Sequence, residues 1–281
     1  MIYPTPLIFA KKISKLYKKS IWLKLETVNP TGSHKDRESI EIIKDAKKKK
    51  FKTVGCASTG NLAVSLAFFA RKENLKCEIW INNKIGKNVK RLLKIFNAKI
   101  HIERKDLNSL YQISDKIMYK KRIYNANPLK CRLKFDANKK IAEEVLKQNS
   151  KIDTIISPVN NGSHIIGISN IKKKCNIFGS YTFSKYASSI NGFYRREGDL
   201  QIKKKIKNHK NLIEVFSPDL KKSTNLLYDE GVIPEPASSS TISLLEKIKL
   251  KKNFNNICCI ITATGLKNIN NLFFLKKSKK K

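Results

Sequence analysis

Four short loops of the sequence hold the residues whose types and spacing are suited to chemistry. The first loop, residues 29–37, reads N-P-T-G-S-H-K-D-R and places Lys35 at the start of a predicted helix. The positive end of the helix dipole and low water access favour a neutral amine there, and a neutral lysine is a nucleophile towards an aldehyde. The alternative is an ordinary solvated lysine, because the chain contains 59 Lys and Arg residues.

Two further loops combine small polar residues with a glycine at predicted helix starts, where backbone N–H groups bind anions. One contains Ser58, Thr59 and Asn61, and its asparagine can donate to a ring hydroxylate. The other is suited to holding a phosphate and consists of Asn160, Asn161, Gly162, Ser163 and His164. The alternative for both loops is helix capping, which favours the same residue types. A lone histidine such as His164 is more often structural than catalytic.

The fourth loop follows the last predicted strand and reads T-A-T-G-L-K over residues 262–267. Thr262 can offer a neutral hydroxyl group to a ring nitrogen, and the alternative is a common Thr-Gly turn. All four loops come just after predicted strands. Because ligands of open α/β sheets bind beyond the carboxyl ends of the strands, we expect these loops to line ligand sites.

The elements that must position these loops alternate between short apolar strands and helical patterns. The predicted strands are residues 21–25, 53–57, 76–81, 99–102, 153–157, 174–180 and 257–261, and the predicted helices are residues 35–50, 61–72, 86–96 and 137–148. This order predicts an α/β fold with mostly parallel open sheets covered by helices. We expect a first lobe at residues 1–147, of which residues 1–28 can pack with the other lobe. The second lobe is residues 148–281, with a basic tail at 276–281.

The composition is that of a basic globular protein of 281 residues with a formal net charge of +37. The excess is mostly lysine spread along the chain, which a codon bias explains better than a specific nucleic-acid site, although non-specific affinity at low salt is expected. No apolar run is long enough to span a membrane. The six cysteines form no C-x-x-C pair, so we expect no metal site and a cytoplasmic, reduced protein.

Taken in order, several of these motifs resemble those of one enzyme family. Residues 29–37 are similar to the N-P-T-G-S-F-K-D-R segment of fold-type II pyridoxal phosphate (PLP) enzymes, residues 57–61 to their A-S-T-G-N loop, and residues 235–238 to their E-P-A-S turn. Residues 125–132 and 262–267 resemble the N-x-x-N-P-x-R stretch and the T-G-x-G-L-K terminus of the threonine synthase family. The resemblance covers nearly the whole chain and implies the two-lobed fold of fold-type II PLP enzymes.

The resemblance also implies which residues hold pyridoxal 5'-phosphate. Lys35 would form the Schiff base with this cofactor and later move protons. Asn61 would bond the ring hydroxyl group, and Thr262 would face the pyridine nitrogen without giving it a positive charge. The loop of Asn160, Asn161, Gly162, Ser163 and His164 would hold the cofactor phosphate.

The implied substrate is the small molecule O-phospho-L-homoserine, which reacts with water to give L-threonine and phosphate. Ser58 and Thr59 would bind the substrate carboxylate or phosphate. The substrate phosphate would meet Arg132 or Lys130, and we prefer Arg132 because its planar fork binds phosphate bidentately. The cofactor would act as the electron sink while Cα and Cβ lose protons. The family further implies a monomer or homodimer that needs neither membrane nor specific nucleic acid.

The sequence departs from the family pattern at several positions. His34 replaces a Phe, Glu38 stands where a Gly follows Asp-Arg, and Ala263 replaces the first Gly of the terminal loop. In residues 160–164 both glycines of the family's G-N-x-G-N have changed, and serine tolerates glycine's backbone angles poorly. The alternatives are therefore another enzyme of this fold, such as a threonine or serine dehydratase or a cysteate synthase, or a degenerate or nucleic-acid-associated relative without turnover.

Overall fold

The computed structural model describes residues 4–83, 85–127, 131–190, 211–248 and 254–269. Within these ranges the strands β1 to β10 are Leu7–Phe9, Ser20–Leu25, Thr53–Ala57, Lys76–Asn82, Lys99–Glu103, Tyr124–Asn125, Thr154–Pro158, Asn176–Tyr181, Leu212–Glu214 and Asn256–Ile261. The helices α1 to α9 are Lys11–Tyr17, Lys35–Lys48, Asn61–Lys72, Lys87–Ile95, Leu107–Lys120, Leu133–Gln148, Ser163–Ser169, Ser217–Asp229 and Pro236–Ile248. The chain forms two compact units: a small unit, Ser33–Ala137, and a large unit, Met1–Gly32 with Asn138–Lys281.

The small unit is built on a four-stranded parallel sheet in the order β5-β4-β3-β6. Strand β4 buries Ile79 and Ile81 in one core and Trp80 in another, because neighbouring residues of a strand point to opposite faces. Helix α3 is apolar on most sides and buries Leu66 and Phe69 in the first of these cores. Both faces of the sheet are therefore covered, as is usual for a parallel sheet.

The large unit is built on a six-stranded sheet in the order β1-β2-β10-β7-β8-β9, in which only β1 runs antiparallel to its neighbour. Strand β10 buries Ile257, Cys259 and Ile261 in one core and Cys258 and Ile260 in another. Both faces of this sheet are thus covered as well. Because β10 and β7 are adjacent and parallel, the loops that follow them lie at the same sheet edge.

These elements confirm the predicted α/β fold of mostly parallel sheets covered by helices. Each of the seven predicted strands corresponds to an observed strand whose ends differ by at most two residues. The chain passes between the two units at Gly32–Ser33 and again, inside α6, at Ala137–Asn138, whereas the sequence suggested a boundary after residue 147. The basic tail at residues 276–281 lies outside the described residues. No helix in the described part of the chain has the length and apolar character needed to cross a membrane.

Candidate functional site

Lys35 is the first residue of α2, and its amine forms an ion pair with Glu38, one turn further along the helix. Its Nζ lies 2.7 Å from Glu38 Oε1, and the two side chains are 15% and 0% exposed, respectively. The amine is therefore reachable from solvent, whereas the carboxylate is buried. Removing a carboxylate from water costs free energy unless the charge is paired. The ion pair with Lys35 therefore offsets part of the desolvation cost of Glu38.

A buried lysine, Lys134 near the start of α6, interacts electrostatically with Lys35 and Glu38. It is 1% exposed, and its Nζ donates a 2.7 Å hydrogen bond to the Ala126 carbonyl oxygen. Burial lowers the pKa of Lys134, the Glu38 carboxylate opposes this change, and the Lys35 cation adds to it. The three groups form one electrostatic cluster. Sequence reasoning missed Lys134, since no local pattern distinguishes it from the other lysines.

The loop of Ser58, Thr59 and Asn61 joins β3 to α3 at the carboxyl end of the strand. All three residues are partly exposed. The Gly60 N–H donates to Ser58 Oγ at 3.4 Å, and no described atom lies within 4 Å of the position that a Cβ would take at Gly60. The loop thus presents hydroxyl and amide donors beside open space, which suits an anionic ligand.

Asn125 and Asn127 belong to the stretch that resembles threonine synthases, and their side chains hold backbone segments together. Asn127 Oδ1 accepts a 2.6 Å hydrogen bond from the Ala57 N–H, and its Nδ2 donates to Ser114 Oγ and Asp115 Oδ1. Asn125 Nδ2 donates to the same Asp115 oxygen at 2.6 Å. These bonds tie the end of β3 to α5, so the two asparagines position the loop that contains Ser58.

Arg132, one of the two residues predicted to meet the substrate phosphate, lies just before α6. Arg132 is exposed, which leaves its guanidinium group accessible to a ligand. Lys130 lies outside the described residues. The preference for Arg132 therefore stays a prediction.

The loop at residues 160–164 follows β7 and leads into α7 in the large unit. Gly162 adopts a left-handed φ of 88°, a conformation that glycine takes without strain. Asn161 Oδ1 accepts a 3.1 Å hydrogen bond from the Ser163 N–H. Both glycine positions of the family motif have changed in this chain. The turn nevertheless has a glycine, Gly162, at the residue with the left-handed φ.

Two side chains of the same loop anchor it to neighbouring segments. Asn160 Nδ2 donates a 2.7 Å hydrogen bond to the Ser189 carbonyl oxygen. His164 Nδ1 lies 2.8 Å from Ser157 Oγ, and both residues are buried. His164 is thus held against β7, and its place in a loop that holds the cofactor phosphate stays a prediction.

Thr262 is the first residue after β10, and its hydroxyl group is oriented by α9. Its Oγ1 lies 3.0 Å from Ser238 Oγ, and Ser238 Oγ also accepts from the Ala263 N–H at 3.1 Å. Thr262 itself is buried. That this neutral hydroxyl group faces a pyridine nitrogen stays a prediction.

The terminal loop also binds the loop that precedes Lys35 in the chain. The Thr264 N–H donates to the Gly32 carbonyl oxygen at 2.9 Å, and Lys267 Nζ donates to the Thr31 and Gly32 carbonyl oxygens at 3.0 and 3.4 Å. Gly32 has a left-handed φ of 72°, and a Cβ there would lie 2.5 Å from Thr264 Cγ2. This close approach explains why the motif has a glycine at this position. Sequence reasoning noticed both loops but missed their contact.

The structure brings the predicted residues together in two groups. In the small unit, residues 58–61 follow β3, and Arg132 lies in the connection that leaves the adjacent parallel strand β6. Lys35 starts α2, which packs against α3. In the large unit, Thr262 follows β10 and residues 160–164 follow β7, the adjacent parallel strand. The loops of each group therefore follow neighbouring parallel strands, and their use as ligand sites stays a prediction.

Comparisons with known proteins point to one family. The family described as "Pyridoxal-phosphate dependent enzyme" matches residues 1–263. The threonine synthase of Methanocaldococcus jannaschii is 26% identical over 94% of this chain and 75% of its own length. The threonine synthase of Mycobacterium leprae is 42% identical over 27% of this chain and 21% of its own length. The structure of maize serine racemase has a TM-score of 0.84 at 17% identity and covers 98% of this chain and 92% of that one, a likeness of fold.

Proposed function

This chain belongs to the family of pyridoxal-phosphate dependent enzymes, and from that premise we propose that it is a threonine synthase. It would convert O-phospho-L-homoserine and water to L-threonine and phosphate, and so act as a carbon–oxygen lyase. The observation that carries this proposal is the likeness to the M. jannaschii threonine synthase across 94% of the chain. The motifs at residues 125–132 and 262–267 support the same activity.

The candidate residues fit PLP by the chemistry of their donors. Lys35 supplies a partly exposed amine for the PLP aldehyde. Asn61 supplies an amide for the ring hydroxyl group, and Thr262 supplies a neutral hydroxyl for the ring nitrogen. Residues 160–164 supply amide and hydroxyl donors next to a left-handed glycine, which suits a phosphate. When bound, PLP withdraws electrons from the substrate and makes the loss of protons from Cα and Cβ feasible.

Lys35 would also carry protons to and from the substrate carbons. A neutral lysine amine accepts a proton and becomes an ammonium. The Glu38 carboxylate, 2.7 Å from this nitrogen, stabilises the ammonium while it waits to return the proton. Thr262, which carries no charge and is hydrogen-bonded to Ser238, gives the ring nitrogen no proton. This arrangement restrains the electron withdrawal and favours elimination over transamination.

The substrate would be held by residues of the small unit. The hydroxyl groups of Ser58 and Thr59 are partly exposed beside the open space at Gly60, which favours their binding the substrate carboxylate. The exposed guanidinium group of Arg132 is the preferred group for the substrate phosphate, because its fork binds two oxygens at once. Lys130 is the alternative partner for the phosphate.

The test is a product assay of the purified protein with PLP and O-phospho-L-homoserine. We expect threonine and phosphate in equal amounts from the wild type and neither product from Lys35→Ala. Lys44→Ala is the matched control, since Lys44 lies on the same helix, is largely exposed and pairs with Glu41 at 3.4 Å. This control should retain activity. A keto acid with ammonia would identify a dehydratase, and cysteate would identify a cysteate synthase; either product without threonine would refute the proposal.

The proposal retains a cytoplasmic location and a monomer or homodimer. Sedimentation of the PLP-loaded protein distinguishes the two oligomeric states. Steeply salt-dependent binding of DNA or RNA by a protein that takes up no PLP would instead identify a non-catalytic relative.

A further inference from the structure

Glu38 is a buried acidic residue that stands where the resembled family has a glycine. Its side chain is 0% exposed, and its Oε1 lies 2.7 Å from Lys35 Nζ. By contrast, the nearby pair of Lys44 and Glu41 lies at the surface of the same helix. Because a buried carboxylate carries a large desolvation cost, its position beside the proposed PLP lysine indicates a role for its charge.

A buried lysine interacts with both members of this pair, and two cysteines interact with that lysine. Lys134 of α6 is attracted by Glu38 and repelled by Lys35 of α2. Cys56 of β3 and Cys131 just before α6 also interact with Lys134. Burial raises the pKa of the Cys56 thiol to about 12, so this thiol stays neutral near pH 7. Among these described groups Glu38 therefore carries the negative charge, and the two lysines favour its ionised form.

We propose that Glu38 is the counter-ion that holds a proton on the side-chain nitrogen of Lys35, both in the free ammonium and after that nitrogen has bonded to PLP. Glu38 is thus a positioning residue that acts through Lys35. This inference rests on the proposed use of Lys35 as the PLP lysine.

The Lys35 nitrogen carries one positive charge both as the free ammonium and after it has bonded to PLP, so one counter-ion serves both states. The nitrogen of Lys35 forms a double bond to the aldehyde carbon of PLP, and the carbon–oxygen bond of the aldehyde breaks. Two of the three ammonium hydrogens leave with the oxygen as water, and the third stays on the nitrogen. The single positive charge is conserved, so Glu38 keeps its partner when the cofactor is loaded.

The first test uses the cofactor-free protein, so it does not depend on PLP. Lys35 is labelled with a trace amount of an amine-acylating reagent, which reacts only with a neutral amine, and the label is quantified by peptide mass spectrometry between pH 7 and 10. Glu38→Gln should raise the labelling rate of Lys35 about tenfold at a given pH, because the adjacent negative charge that favours the ammonium is lost. The matched control Glu41→Gln should leave the rate at Lys35 unchanged.

The second test is a pH titration of the absorbance of PLP bound to Lys35. The midpoint at which the bound nitrogen loses its proton should fall by about one to three pH units in Glu38→Gln and stay at the wild-type value in Glu41→Gln. A normal wild-type band with equal midpoints and equal labelling rates in Glu38→Gln would overturn the counter-ion role and leave the proposed function intact. A wild type that labels as expected but forms no lysine-bound PLP would overturn the proposed function, and with it the role towards PLP.

Two further variants keep the inference testable if Glu38→Gln does not fold, as judged by circular dichroism. Glu38→Asp keeps the carboxylate and should retain most of the wild-type midpoint. Lys134→Gln removes a cation that repels Lys35, so it should move the midpoint in the opposite direction, to higher pH. A downward shift in Lys134→Gln, or no shift in any variant, would contradict the proposed cluster.

Discussion

Gly32→Ala should destabilise the large unit through both its backbone conformation and a steric contact. A non-glycine residue in the left-handed region costs about 1–2 kcal/mol. The new Cβ would also lie 2.5 Å from Thr264 Cγ2, and such overpacking typically costs a further ~1–3 kcal/mol. We therefore expect Gly32→Ala to lower the free energy of unfolding by about 2–5 kcal/mol in urea denaturation.

Gly231→Ala is the matched control, because Gly231 has a similar φ of 77° but no described atom within 4 Å of the position that a Cβ would take. It should show the backbone cost alone, about 1–2 kcal/mol. Adding Thr264→Ser to Gly32→Ala removes the clashing methyl group, keeps the hydroxyl that accepts from the Leu266 N–H, and should recover most of the steric cost. Equal losses for the two glycine variants, or no recovery in the double variant, would refute the close packing of the two loops.

Three further outcomes are expected from the structure. Glu144→Ala leaves the fully buried Lys24 without its carboxylate and should cost about 3 kcal/mol in urea denaturation, the low end for a broken buried ion pair, because two other acceptors remain. The matched control is Glu143→Ala, because the neighbouring Glu143 is 51% exposed; it should change the free energy of unfolding by no more than about 0.5 kcal/mol. Equal losses for Glu144→Ala and Glu143→Ala would contradict a buried ion pair at Lys24. Burial raises the pKa of Asp45, but hydrogen bonds from a lysine and a tyrosine outweigh it, so the net pKa is lowered. A lowered pKa contributes stability that is complete above the unfolded value and is lost as the pH falls through the folded value. Asp45→Asn should therefore cost less than about 1 kcal/mol at pH 7, and this cost should shrink progressively as the pH falls below about 4. A cost that does not change with pH would argue against this ion pair.

The sequence predicted those parts of the fold and site that depend on local patterns. The apolar strands that precede residues 58, 160 and 262 could be found from their length and bounding turns, and the structure confirms them. The two-residue strand β6 was not predicted, since so short an element leaves no periodic signal. The contact of Gly32 with Thr264 joins residues far apart in sequence, and no local pattern reports it.

The cluster of Lys35, Glu38 and Lys134 also depends on contacts between residues that are far apart in sequence. The spacing of Lys35 and Glu38 on a predicted helix is compatible with an ion pair, but the same spacing occurs between many exposed residues and does not single this pair out. The burial of Glu38 and the position of Lys134 depend on β3, α6 and the Ala126 carbonyl, which only the folded chain brings together. The neutral Lys35 expected from the sequence stays a prediction, and the structure adds that this amine lies 2.7 Å from a buried carboxylate.

The central claim is that Lys35 bonds PLP, and trapping this bond tests it most directly. The protein is incubated with PLP, reduced with borohydride, digested, and mapped by mass spectrometry. We predict a pyridoxyl group on the peptide that contains Lys35, at close to one group per chain, and its loss in Lys35→Ala but not in Lys44→Ala. A group spread over many surface lysines, or retained in Lys35→Ala, would contradict the claim.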